Sequence, residues 1–173
     1  EFPESELQSE QAQTFGCERS NNIYASNGLS DLITPQEVGN FRSLGLHTHH
    51  GWIDIPSEEE LKDFVFLCDL FLGVPSYIYD KDRFRRGFYG KIGEHRIKPI
   101  YGVEYRSLGA GMYHFPKVIQ QGLNNIKLAI ESNKIEELKT LYFETMQHIS
   151  FTNNLSVAHA KKLNKEIIKD LKN

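Results

Sequence analysis

Polar and apolar positions repeat along this chain with two different periods. From Phe41 to Ile55 the sequence reads Phe-Arg-Ser-Leu-Gly-Leu-His-Thr-His-His-Gly-Trp-Ile-Asp-Ile. A period of two there predicts a strand, with Leu46, Thr48 and His50 on one face and His47 and His49 on the other. A second strand is predicted from Tyr101 to Leu108. Alternation sets Val103, Tyr105 and Ser107 on one face, and Glu104 and Arg106 on the other. Between these strands the period becomes helical. Ser57-Glu-Glu-Glu60 forms a capping box, followed by an apolar stripe of Leu61, Phe64, Val65, Cys68, Phe71 and Leu72. Phe66, Leu67 and Leu70 widen that stripe, so the helix is expected to be buried. Gly73 and Pro75 predict its end.

Three further helices are expected to close the chain. Their stripes are Val118, Gly122, Ile126, Ala129 and Ile130, then Ile135, Leu138, Tyr142, Met146 and Ile149, then Val157, Leu163, Ile167, Ile168 and Leu171. Residues 80–99, which are polar, basic and punctuated by glycine, read as an ordered loop. Residues 1–14 read as a polar arm. The expected architecture is α+β: an antiparallel sheet with helices packed on one side, and a C-terminal helical segment over 116–173.

Composition narrows the classes. The 173 residues are 39% hydrophobic and 25% charged, which suits a globular domain. With 20 bases against 23 acids the net charge is −3, so no global positive field exists to hold nucleic acid or anionic lipid. No apolar run approaches the length of a membrane span. Two cysteines, Cys17 and Cys68, exclude a disulfide-dense scaffold. One bridge between them is open, and two reduced thiols in a cytoplasmic protein are the default expectation.

The charge is unevenly spread. Arg83, Arg85, Arg86, Lys91, Arg96, Lys98 and Arg106 fall within one window, opposed only by Glu94 and Glu104. That window is strongly positive within an acidic chain. Guanidinium forks bind phosphate oxygens bidentately, and Gly87, Gly90 and Gly93 allow backbone to approach a ligand closely. His47 and His49, two apart on a strand, suit a metal or a phosphate oxygen. Glu104 and Arg106 form either a simple surface ion pair or a metal-holding carboxylate beside a phosphoryl-neutralising arginine. Together these residues suggest phosphoryl chemistry. Two rivals stand beside it: a nucleic-acid module using the basic loop, and a zinc hydrolase using the histidines and one acid.

The combination resembles the phage-type carboxylate–amine ligases, amidoligases of the glutamine synthetase-like superfamily. The resemblance is carried by Arg85-Arg-Gly-Phe-Tyr-Gly-Lys-Ile-Gly-Glu-His-Arg-Ile-Lys-Pro-Ile-Tyr-Gly-Val-Glu-Tyr-Arg-Ser-Leu108. Phe15-Gly-Cys17, His47-Thr-His-His-Gly51 and Asp69-Leu-Phe-Leu-Gly-Val-Pro-Ser76 precede it in the matching order. It covers about residues 14 to 115, so 15–115 is expected to be the core of the catalytic domain.

The resemblance implies an ATP-dependent, Mg²⁺-assisted ligase that forms an amide through an acyl phosphate, on peptides or cell-wall material. It implies catalytic roles for Arg85, Arg86 and Arg106. It implies nucleotide or phosphate binding by His49, Lys91 and Arg96, and metal binding by His47, Glu104 and Glu18. The family's N-terminal strands, with further metal-binding glutamates, have no counterpart before Glu1. An incomplete domain is therefore expected, with weak or absent activity alone, completed by a further chain or by a homo-oligomer. A non-catalytic structural or interaction protein retaining the fold is the alternative.

Overall fold

In the computed structural model, residues 3–9, 19–31, 35–54, 56–82 and 84–173 are described. Ser57 starts the first long helix as its sequence predicts. Its hydroxyl accepts from the Glu60 amide at 3.2 Å, and its own amide donates to the Glu60 carboxylate at 2.7 Å. This helix, α2 (Glu58–Cys68), follows β1 (Asn21–Asn22), the single turn α1 (Pro35–Val38) and β2 (Gly45–Gly51). The strand predicted over 41–55 is therefore confined to its central seven residues.

The expected stop at Gly73 and Pro75 is not a stop. After α2 the chain widens into a π turn, Asp69–Gly73, and continues directly as α3 (Val74–Tyr79). Pro75 lies in the first turn of α3, where its missing N–H leaves no bond unmade. Gly73 is required by closeness: a Cβ there would lie 2.7 Å from the Tyr105 hydroxyl.

The segment expected to be loop over 80–99 contains a short 3₁₀ turn, Phe84–Gly87, and a third strand, β3 (Glu94–Lys98). Glu-His-Arg-Ile-Lys carries no apolar alternation, so pairing with its neighbours, not local pattern, makes it a strand. With β4 (Gly102–Gly109) it completes a four-stranded antiparallel sheet of order β1-β3-β4-β2.

All eight residues of β4 are buried. Its register with β2 slips by one between the pairs Leu46–Leu108 and Thr48–Tyr105, so His47 alone faces Arg106 and Ser107. The bulge resets the alternation. Val103, Tyr105 and Leu108 enter the hydrophobic core, whereas strict alternation predicts Ser107 there. The Ser107 hydroxyl instead donates to the Lys91 carbonyl at 2.7 Å.

Helices α4 (Pro116–Glu131), α5 (Ile135–Thr152) and α6 (Val157–Lys172) form as predicted, with Ile126, Ala129, Leu138, Met146, Ile149, Ile167 and Leu171 buried, whereas Ile130 of the expected α4 stripe is exposed. One hydrophobic cluster runs from Tyr24 to Leu171, so the C-terminal helices share the core of the sheet. Among the described residues, no helix is long and apolar enough to cross a membrane. Cys68 is a buried free thiol, and Cys17 lies outside the described residues.

The centre of this core holds one acid. Asp69 accepts hydrogen bonds from the Tyr24 hydroxyl (2.8 Å), the Tyr105 hydroxyl (2.8 Å) and the Gly93 amide (2.9 Å). It thereby ties the π turn to the segment after β1, to the turn before β3 and to β4. Burial outweighs these three bonds and raises its pKa to about 7. A carboxyl whose pKa is higher folded than unfolded stabilises fully below its unfolded value. That contribution is lost as pH rises through the folded one.

The stability of the protein relative to Asp69→Asn is therefore expected to fall between about pH 4 and pH 7, by an amount on the order of 4 kcal/mol. Urea unfolding of both proteins across that range checks it. A constant difference would show that Asp69 does not titrate there.

Candidate functional site

The sheet face bearing Glu104 and Arg106 is charged, opposite the face that carries Val103 and Tyr105 into the core. Glu104 occupies its middle and is 4% exposed. Each neighbouring strand supplies it with a partner. From β2, His47 Nδ1 lies 2.6 Å from Oε1. From β3, Lys98 Nζ lies 2.8 Å and Arg96 Nη1 3.7 Å from Oε2. From β4 itself, Arg106 Nε lies 3.7 Å from Oε1. Burial pushes the Glu104 pKa up. The Lys98 hydrogen bond and the charges of Arg106, His47 and Lys98 outweigh it and hold the carboxyl below its ordinary range.

His47 is tied at both ring nitrogens. Burial lowers its pKa, Glu104 opposes that, and the charges of Arg106 and Arg85 add to the lowering. The imidazole is therefore neutral at pH 7, with Nδ1–H donating to Glu104. Its Nε2 is then an acceptor, 3.4 Å from the Tyr89 hydroxyl. Tyr89 in turn accepts from Arg106 Nη2. A polar chain thus runs from Arg106 through Tyr89 and His47 to Glu104.

Arg85 borders this chain and is 1% exposed. Its guanidinium lies 4.9 Å from the centre of the Tyr89 ring, and Nη2 donates to the Arg106 carbonyl at 3.4 Å. Among the described residues, its Nε and Nη1 are buried without a hydrogen-bond partner. Burial, and after it the charge of Arg86, hold its pKa below the usual arginine value, with Tyr89 and the carboxylates of Glu94 and Asp80 offsetting part of that. A buried cation with unmet donors is costly unless an anion answers it.

Two glycines make room for this guanidinium. A Cβ on Gly90 would fall 2.1 Å from Nη1, and a Cβ on Gly45 would fall 2.7 Å from Nη2 and 2.8 Å from His47 Nε2. Gly90 also has φ +81°, a conformation that L side chains rarely adopt.

Compared with protein-family models, with curated proteins and with solved structures, the chain matches none. Geometry alone therefore sorts the expected site residues. His47, Glu104, Arg106, Arg96 and Arg85 come together. His49 lies on the same strand face but is exposed, with Nδ1 2.5 Å from the Tyr101 hydroxyl. Lys91 pairs instead with Asp31 at 2.6 Å.

Arg86 is held elsewhere. Its guanidinium lies 4.0 Å from the Tyr77 ring centre, Nη2 donates to Ser76 Oγ at 2.7 Å, and Asp80 is 3.8 Å away. These partners belong to α3 and its end. Glu18 lies outside the described residues. Among the described residues, no group of three His, Cys, Asp or Glu side chains is placed to hold a metal.

Tyr89 and Lys98 complete the face, though sequence reasoning assigned neither a role. Reading 94–98 as a strand would have found Lys98, which stands two residues from Arg96 and so on the same face.

Replacing Gly90 by Ala is expected to displace Arg85 and to destabilise the protein by about 1–3 kcal/mol. Chemical unfolding measures the loss. An unchanged midpoint would mean that the guanidinium is free to move aside.

Proposed function

We propose that this chain binds the phosphates of ATP on the charged face of its sheet and uses them to join a carboxylate to an amine. The observation that carries the reading is Arg85, a buried guanidinium that shares the Tyr89 ring with Arg106 and whose Nε and Nη1 are unmet among the described residues. Such donors fit the oxygens of a transferring phosphoryl group.

In this reading a carboxylate oxygen attacks the terminal phosphorus, ADP departs, and the acyl phosphate is held by Arg85 and Arg106. The amine nitrogen then attacks the acyl carbon, and phosphate leaves. Neutral His47, with Nε2 as an acceptor, takes the proton that the amine gives up. Lys98 and Arg96 keep Glu104 ionised. A magnesium ion accompanying ATP binds chiefly through phosphates and waters with one or two carboxylates; Glu104 would be its carboxylate here, and the ion would neutralise phosphate charge.

A second reading, a binding module without turnover, is favoured by Glu104 being the one carboxylate of this cluster among the described residues.

Calorimetry with Mg²⁺-ATP is expected to show binding that Arg85→Gln weakens about tenfold or more, since a charge-assisted hydrogen bond contributes about 1.5–3 kcal/mol. Phosphate release that depends on added carboxylate and amine separates ligase from binding module. Absence of ATP binding by the unaltered chain would overturn both readings. Salt-sensitive DNA binding indifferent to ATP would favour the nucleic-acid alternative.

A further inference from the structure

The turn that carries Arg85 also carries aromatic rings. Tyr89 N donates to the Arg85 carbonyl at 2.7 Å, and Phe88 N to the same oxygen at 2.9 Å, so the chain from Phe84 to Tyr89 is wound helically. Residues four apart on such a turn are neighbours. Two such pairs form side by side. Arg85 with Tyr89 makes the cation–aromatic contact of the charged face. Phe84 with Phe88 makes an aromatic pair, ring centres 5.0 Å apart at 66°. Phe41, from the segment entering β2, packs edge-on against Phe84 at 4.7 Å and lies 6.4 Å from Phe88.

Phe41 and Phe88 are half-buried, and Phe84 stays open. Phe84 is 60% exposed, although it touches both neighbours. A phenylalanine kept open beside two rings offers a surface to a further planar group. The residue next to it, Arg85, is buried with two unmet donors, which point to an anionic ligand at the same turn. A nucleotide combines a flat aromatic part with an anionic part.

We propose that Phe84, backed by Phe41 and Phe88, is the seat of the nucleobase, with the phosphates running from Arg85 towards Arg106. This rests on the ATP reading above and adds to it the end of the sheet at which the base sits. The base then lies at the Gly45 end of β2.

The test compares ATP with inorganic tripolyphosphate, which has the phosphates and no base, on the full chain by calorimetry. ATP is expected to bind about tenfold or more tightly than tripolyphosphate, the gain that one base–aromatic stack provides. Phe84→Ala is expected to remove that gain and to keep tripolyphosphate binding. Phe84→Trp is expected to retain the gain, with indole fluorescence quenched by ATP and not by tripolyphosphate. Equal binding of the two ligands, or an ATP advantage that survives Phe84→Ala, overturns the base seat and leaves the phosphate site standing. Failure of both ligands to bind overturns the seat and the ATP reading together.

Discussion

A carboxylate sealed into the middle of a sheet has to be answered by positive charge, and Glu104 organises this protein around that requirement. Its two oxygens draw His47 from one neighbouring strand, Lys98 and Arg96 from the other, and Arg106 from its own. An uncompensated buried charge is costly enough to exclude alternative registers. A one-residue slip would turn every side chain of a strand to the opposite face. The ionic cluster and the pairing of β2, β3 and β4 therefore specify each other.

The opposite face of β4 is held by a different kind of bond. Tyr105, between Glu104 and Arg106 in the chain, points into the core and donates to Asp69. Asp69 begins the π turn, and a π turn inserts an extra residue into helical winding at a cost in hydrogen-bond geometry. Tyr24, Tyr105 and the Gly93 amide meet Asp69 at that turn, so the irregularity of the helix and the position of the strand are coupled. Gly93 precedes Glu94, the first residue of β3. The same acid thus anchors both strands that supply cations to the charged face.

How much of this was legible in the sequence follows from which forces act locally. The capping box at Ser57 and the stripes of α4, α5 and α6 were readable because each is set by residues within one or two turns. The two apolar-patterned strands were readable for the same reason. β3 was not, because its outward residues are the charges that meet Glu104, and that pattern looks like solvated loop. Nor could spacing show that Arg85 and Arg86 diverge. They are adjacent in the chain, yet one borders the charged face and the other packs on Tyr77. The bulge opposite His47 was equally hidden, since it exists only in the pairing of two strands.

Three departures from local preference surround one guanidinium. Gly90 adopts a backbone conformation closed to most residues, Gly45 leaves a gap at the start of the edge strand β2, and β4 bulges where Arg106 and Ser107 face His47. Each is unfavourable taken alone: glycine weakens strands, and a bulge disrupts the ladder. In an ordinary core these features would be scattered. Here Gly90 and Gly45 both leave space that Arg85 fills, and the bulge holds the Arg106 carbonyl to which Arg85 donates. Local rules broken together around a single buried cation are what the proposed ligand site rests on. Among the described residues, Nε and Nη1 of that cation have no hydrogen-bond acceptor, and the proposed anion is placed against those two atoms.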